Sequence, residues 1–226
     1  MKPLVLLTTT AYATSLIFPP DLRAELEKSF EVTEDFDLLP RAFAIIGQPD
    51  LPAERIAVAA ELKVICNVEG NFFPNVDYAP CFDRHIAVLS CGPVYAQPVA
   101  EYALGLALDL ARGITAADRH FRAGTEHYSQ DGTAGSVLLR HASVGLIGMG
   151  NLGRALLPLL HPFSPRLRVY DPWLPARALE ELDVEPVGLE ELLASSTFVF
   201  VLAASTTPAR IRNSSRVGSI SASNGG

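Results

Sequence analysis

The chain has 226 residues with 49% hydrophobic and 19% charged side chains, which supplies apolar material for one large or two small cores and excludes disorder throughout. Lys and Arg total 18 against 25 Asp and Glu, a net charge of -7 with no basic cluster, so nothing marks a surface for nucleic-acid backbones or anionic membranes. Cys66, Cys81 and Cys91 form no CxxC pair and no Cys/His run at ligand spacing, and read as reduced thiols of a cytoplasmic protein without a metal site.

Short apolar strands then alternate with longer amphipathic stretches, the pattern of a parallel sheet covered by helices. Lys2, the run Leu4 to Leu7 and the triplet Ala11-Tyr12-Ala13 faintly mimic a secretory signal, but the apolar run is too short for one, and a buried first strand over Pro3 to Thr8 is the favoured reading. Helices are expected over Asp21 to Ser29 and Ala53 to Leu62, with strands over Ala42 to Gly47, Val64 to Asn67 and Ile86 to Leu89. Val99 to Gly113 is apolar on nearly every face, as suits a helix buried at a domain junction. Ile114 to Gly124 continues helical, and Gly124 to Gly135 is polar and turn-rich, which predicts a surface loop. No stretch is long and apolar enough for a membrane span.

A second strand–helix series opens at Ala142 and carries the specific signal. An apolar strand enters Gly148-Met149-Gly150-Asn151-Leu152-Gly153, a helix pattern follows, and Asp171 closes the next strand, Arg166 to Tyr170; together these make a dinucleotide-binding fingerprint. Gly148 permits the tight turn, Gly150 lets the backbone approach a pyrophosphate, and Gly153 lets the helix pack closely on the sheet. The free N–H groups and positive end of the helix face the phosphates. Asp171 accepts from ribose hydroxyls and repels a 2′-phosphate, so the cofactor expected is NAD rather than NADP. Pro158 within that helix predicts a kink or an end near Leu157.

The segment from Leu62 to Gly124, the run VGLIGMGNLG with Asp171, and LEELLASSTFVFVLAASTTP at 189–208 resemble the D-isomer-specific 2-hydroxyacid dehydrogenases. The resemblance implies an α/β protein with a flavodoxin-like substrate domain over residues 1–97, interdomain helices over 98–124, and an incomplete Rossmann NAD-binding domain over 125–208. It also implies that Val68, Glu69 and Gly70 offer backbone N–H groups to the carboxylate of a small 2-hydroxy or 2-oxo acid. Asn75 and Asp77 read equally as turn-closing residues, and Glu101 as a capping or interdomain contact. A homodimer through the second domain is a further expectation of the resemblance.

Hydride transfer to a 2-oxo acid needs a cation at the carbonyl and a positioned acid–base group. The family supplies an Arg, a Glu and a His after the third Rossmann strand, which the sequence places at Phe198 to Leu202. The resemblance stops at Pro208, so no catalytic residue is assigned. Residues 209–226 hold no His or Glu, and Arg210, Arg212 and Arg216 lie in Ser/Asn/Gly surroundings that read as a disordered tail. None of His85, His120, His127, His141 and His161 sits in a motif aimed at a nicotinamide, and surface positions are expected for all five. The expected protein is thus a C-terminally truncated NAD-dependent oxidoreductase with reduced or no activity, or else a non-catalytic module that binds NAD or a partner. In the half-sheet so expected, the first Rossmann strand keeps an open apolar edge.

Overall fold

Both faces of the first strand, Leu4–Thr8 (β1), are buried over Leu4 to Leu7, which is why it reads as a continuous apolar run rather than an alternation. The computed structural model describes residues 2–8, 18–70 and 72–203. The turn at 205–208, the segment 209–226 with its three arginines, and Asn71 lie outside the described residues. The chain divides into two units between Tyr95 and Ala96.

In the first unit, β1 is joined by Glu31–Thr33 (β2), Ala42–Gly47 (β3), Val64–Asn67 (β4) and Ala87–Ser90 (β5), all parallel, in the order β2-β1-β3-β4-β5. This is the flavodoxin-like order. Because alternate side chains leave a strand on opposite faces, Leu6, Ile45 and Ile65 join one apolar layer and Val5, Leu7 and Ala44 another. Leu26 of helix Pro20–Ser29 (α1) packs on the second layer. Ile56 of Ala53–Val58 (α2) and Cys81 of Tyr78–Asp83 (α3) belong to the first.

Helix α2 stops four residues short of the expected Leu62. Ala59 N–H closes a tight turn onto Ile56 O at 3.2 Å, and the Arg84 guanidinium bonds the carbonyls of Ile56, Ala59 and Ala60, meeting the end of the helix from another element. The strand expected over Ile86 to Leu89 is shifted by one residue. β2 and α3 were not foreseen: a three-residue strand and a six-residue helix containing Pro80 are too short to show a period.

The second unit begins within Gly92–Arg112 (α4), which continues through Ile114–Ala123 (α5); Gly113 and Gly124, both at φ 64°, bound α5. The polar stretch that follows holds one short helix, Ser129–Thr133 (α6), where a loop was expected. Then come Ser143–Ile147 (β6), Asn151–Leu160 (α7), Arg166–Tyr170 (β7), Ala176–Glu180 (α8), Glu185–Pro186 (β8), Leu189–Ser195 (α9) and Phe198–Val201 (β9). The sheet order is β8-β7-β6-β9, all parallel.

That order corrects the sequence reading of this domain. Glu185–Pro186 is the third strand, held to β7 through Arg168 and Val169, and Phe198–Val201 is the fourth, crossing over to pair with β6 from Val144 to Ile147. The first Rossmann strand therefore has no open edge; it lies inside the sheet, and the outer edge belongs to β9, where Val201 is 63% exposed. A two-residue strand carrying a proline offers no alternation to read, so the fourth strand was counted as the third.

Helix α7 buries Gly153, Leu156, Leu157 and Leu160 along one face, the spacing of an amphipathic helix on a sheet. It does not end at Leu157. Pro158 falls in the last turn, where it takes away a single bond, the one an N–H at 158 would make to the Arg154 carbonyl, and the His161 N–H caps Leu157 O.

Candidate functional site: the glycine elbow and its carboxylate

β6 leaves the sheet at Gly148, whose φ of +94° is a conformation that side chains rarely adopt. A Cβ at this position would lie 2.8 Å from the backbone nitrogen of Ala203, so both torsion and space demand glycine. Gly153 is required for a different reason: its Cβ would stand 2.6 Å from the carbonyl oxygen of Gly148, and without it the first turn of α7 closes onto the elbow. Gly150 is different again. It is the N-cap of α7 at φ −77°, and a Cβ built on it meets nothing within 4 Å; open space lies over the start of the helix, where an anion would rest against the unpaired N–H groups.

Asp171 stands directly after β7. Its Oδ2 accepts the Met149 N–H at 2.8 Å, and its Oδ1 accepts the N–H groups of Trp173 at 2.9 Å and Leu174 at 3.2 Å. The Gly148 N–H donates to Tyr170 O at 2.9 Å. Gly148, Met149, Gly150, Asn151, Leu152, Gly153 and Asp171 are thus gathered at one end of the sheet. Met149 is fully buried and can contribute only its backbone, while Asn151 is exposed at the helix start. The cradle fits a dinucleotide: the room above Gly150 is what a Cβ would fill, and a carboxylate lies where an adenosine ribose would be held.

The loop after β4 is assembled from farther away. Val68 N–H donates to Gly47 O at 3.3 Å, Glu69 O accepts from Cys91 N–H at 3.1 Å, and the Tyr95 hydroxyl donates to Val68 O at 2.9 Å. Gly70 lies against the Tyr95 ring; a Cβ on it would be 3.3 Å from Cδ2. Of the three N–H groups expected to meet a carboxylate, that of Val68 is engaged inside the protein. Asn75 closes the loop at 48–51: it accepts from Gln48 Nε2 at 2.9 Å and donates to Pro49 O at 2.8 Å. Nothing in the sequence signalled the Tyr95 strap, whose partner is 27 residues away.

Other candidate groups lie outside these two places. All five histidines are exposed. Glu101 is exposed and accepts from Gln97 Nε2 at 2.8 Å along α4. Burial pushes the Cys66 thiol above its ordinary value, with Cys91 adding to the effect, and burial also raises Cys81, so neither is an activated nucleophile. No cluster of three metal-ligating side chains exists among the described residues, and among them no helix is long and apolar enough to cross a membrane.

A strand, a glycine turn, a helix and a carboxylate closing the next strand, set in a sheet of the order 3-2-1-4, define a dinucleotide-binding domain. Residues 104–212 match the family model for the NAD binding domain of D-isomer specific 2-hydroxyacid dehydrogenases. D-3-phosphoglycerate dehydrogenase of Mycobacterium tuberculosis is 30% identical over 166 residues, 72% of this chain and 30% of that protein. Hydroxypyruvate reductase of Thermotoga maritima is 28% identical over 189 residues, 83% of this chain and 60% of that protein. The crystal structure of a phosphoglycerate oxidoreductase from Rhizobium etli superposes with a TM-score of 0.77 and 43% identity, covering 91% of this chain and 66% of that one. The chain belongs to the D-isomer-specific 2-hydroxyacid dehydrogenase family. It spans about 30% of the length of the mycobacterial dehydrogenases.

Proposed function

We propose that this chain holds NAD at the glycine elbow as part of an NAD-dependent oxidoreductase acting on a 2-hydroxy or 2-oxo acid, with little or no turnover by itself. The observation that carries the reading is the pairing of Gly148, Gly150 and Gly153 with the Asp171 carboxylate. The helix start at Gly150, Asn151 and Leu152 would take the pyrophosphate, and Asp171 the adenosine ribose. The bound cofactor would take hydride from a 2-hydroxy acid as NAD, or give it to a 2-oxo acid as NADH. The acid–base step is left unassigned, because all five histidines are exposed and residues 209–226 hold no His or Glu.

In this reading residues 1–97 take the substrate, 98–124 connect, and 125–208 hold the cofactor. The N–H groups of Glu69 and Gly70 would receive the substrate carboxylate, with Val68 shaping the loop through its bonds to Gly47 and Tyr95. We place the protein in the cytoplasm as a homodimer. Three free thiols support the first assignment. Exposed Leu110, Ile114, Phe121 and Tyr128 on and beside α5 support the second.

Trp173 is the only tryptophan, is 79% exposed, and its backbone N–H donates to Asp171 Oδ1. Its fluorescence should be quenched saturably by NADH, and the quenching should vanish in Asp171→Ala. A flat titration on folded protein would refute the cofactor assignment. Turnover with a panel of 2-oxo acids separates an enzyme from a non-catalytic NAD-binding module: saturable binding without NADH oxidation favours the module.

A further inference from the structure

We infer that Asp171 is a positioning residue for the elbow as well as a ribose contact: it sets the turn before any cofactor arrives, and meets the ribose through Oδ2 alone. The inference rests on the reading of the elbow as a cofactor site. Two consecutive backbone donors of the turn are tied to the end of β7, Gly148 N–H to the Tyr170 carbonyl and Met149 N–H to the Asp171 carboxylate. The Met149 side chain is fully buried, with its sulfur 3.3 Å from where a Gly153 Cβ would stand. The peptide between the first two glycines is therefore held at its N–H by Asp171 and at its side chain by the core. Its orientation decides whether the donors that follow it, at the start of α7, point into the open space over Gly150.

An ionised carboxylate has about four acceptor directions. Oδ1 uses two, on Trp173 and Leu174, and Oδ2 uses one, on Met149. One direction is left, on Oδ2, so a single ribose hydroxyl can be received without breaking the tie that shapes the turn.

Two roles of Asp171 predict opposite signs for a ligand that has phosphates and no ribose. If the carboxylate touched only the ribose, its removal would take a negative charge away from an anion site, and inorganic pyrophosphate would bind as well as before or more tightly. If it positions the turn, pyrophosphate binds more weakly despite the lost charge. The experiment compares wild type with Asp171→Ala by pyrophosphate titration and by hydrogen exchange of the Met149 amide, using the Leu146 amide in β6 as the internal reference.

The expected result is pyrophosphate binding weakened about tenfold, and Met149 exchange about tenfold faster with Leu146 unchanged. Should Asp171→Ala fail to unfold cooperatively, Asp171→Asn replaces it. Its single carbonyl oxygen can serve Met149 or the Trp173 and Leu174 pair but not both, so at least one of the three amides must exchange faster. Met149 exchange unchanged in folded Asp171→Ala, none of the three faster in Asp171→Asn, or pyrophosphate bound equally or more tightly by folded Asp171→Ala or by an Asp171→Asn whose Met149 amide exchanges faster, overturns the inference. A wild type that binds neither NADH nor pyrophosphate removes the cofactor reading and contradicts the ribose part of this proposal, while the exchange comparison still decides whether the tie exists.

Discussion

The turn after β6 and the turn after β4 both leave the carboxyl ends of parallel strands, yet they are secured in different ways. The elbow at 148–153 is shaped by backbone sterics of its own glycines and by one carboxylate just beyond the neighbouring strand. The loop at 68–70 is shaped from a distance, by Gly47 at the end of β3 and by the Tyr95 hydroxyl. The first kind of construction survives as a short motif that can be read in a sequence. The second depends on side chains with no fixed spacing.

Glycine replacements expose the contrast most strongly. Gly148→Ala combines a positive φ with a backbone clash against Ala203; strain and overpacking together predict a loss of roughly 2–6 kcal/mol of stability, read by urea unfolding. Gly150→Ala, at φ −77° with nothing within 4 Å, should keep stability within about 0.5 kcal/mol. On the proposed reading it should nevertheless weaken NADH binding about tenfold or more, since its methyl group would enter the space proposed for the phosphates. Equal stability losses for the two variants would mean that Gly150 is a structural glycine like its neighbour.

A smaller effect is expected at the other turn. Tyr95→Phe keeps the ring beside Gly70 and removes only the bond to Val68 O, a loss of about 1 kcal/mol. Amide exchange at 68–70 should rise while the elbow is unaffected; a change at Met149 would show that the two turns are not independent.

The smallest effect concerns α5. Asp109 accepts from the N–H and hydroxyl of Thr115 at 2.6 and 2.8 Å, and these bonds, the backbone N–H foremost, hold its carboxyl below the usual aspartate range. A lowered folded-state value means that the carboxylate adds stability above the ordinary aspartate pKa and that this is lost as pH falls through the lowered one. Asp109→Asn should therefore be less stable than wild type near neutral pH, and the difference should close in acid. A difference independent of pH would assign the effect to packing.

How much of this was legible follows from the same contrast. β1, β3, β4 and β6 announce themselves because largely apolar runs of four to six residues fill central strands, and β7 because buried Leu167 and Val169 alternate with Arg166, Arg168 and Tyr170. Gly148, Gly153 and Asp171 were legible because each meets a steric or hydrogen-bonding demand at a set distance along the chain, and Gly150 falls at the same spacing with no such demand inside the protein. Glu185–Pro186 was not, since two residues carry no period, and that single omission displaced the fourth strand and put the open edge on the wrong strand. Tyr95, and the hold of Asn75 on Gln48 and Pro49, act through contacts between distant residues that no local pattern encodes. The three-amide grip of Asp171 was hidden too, because the same carboxylate satisfies the ribose argument by itself.

Backbone amide chemical shifts recorded during addition of NADH test the account most directly. Saturable shifts concentrated at Met149 to Gly153 and Asp171 to Leu174, with β3 and α1 of the first unit unmoved, are the predicted result. A folded protein whose elbow amides stay in place at saturating NADH would contradict it.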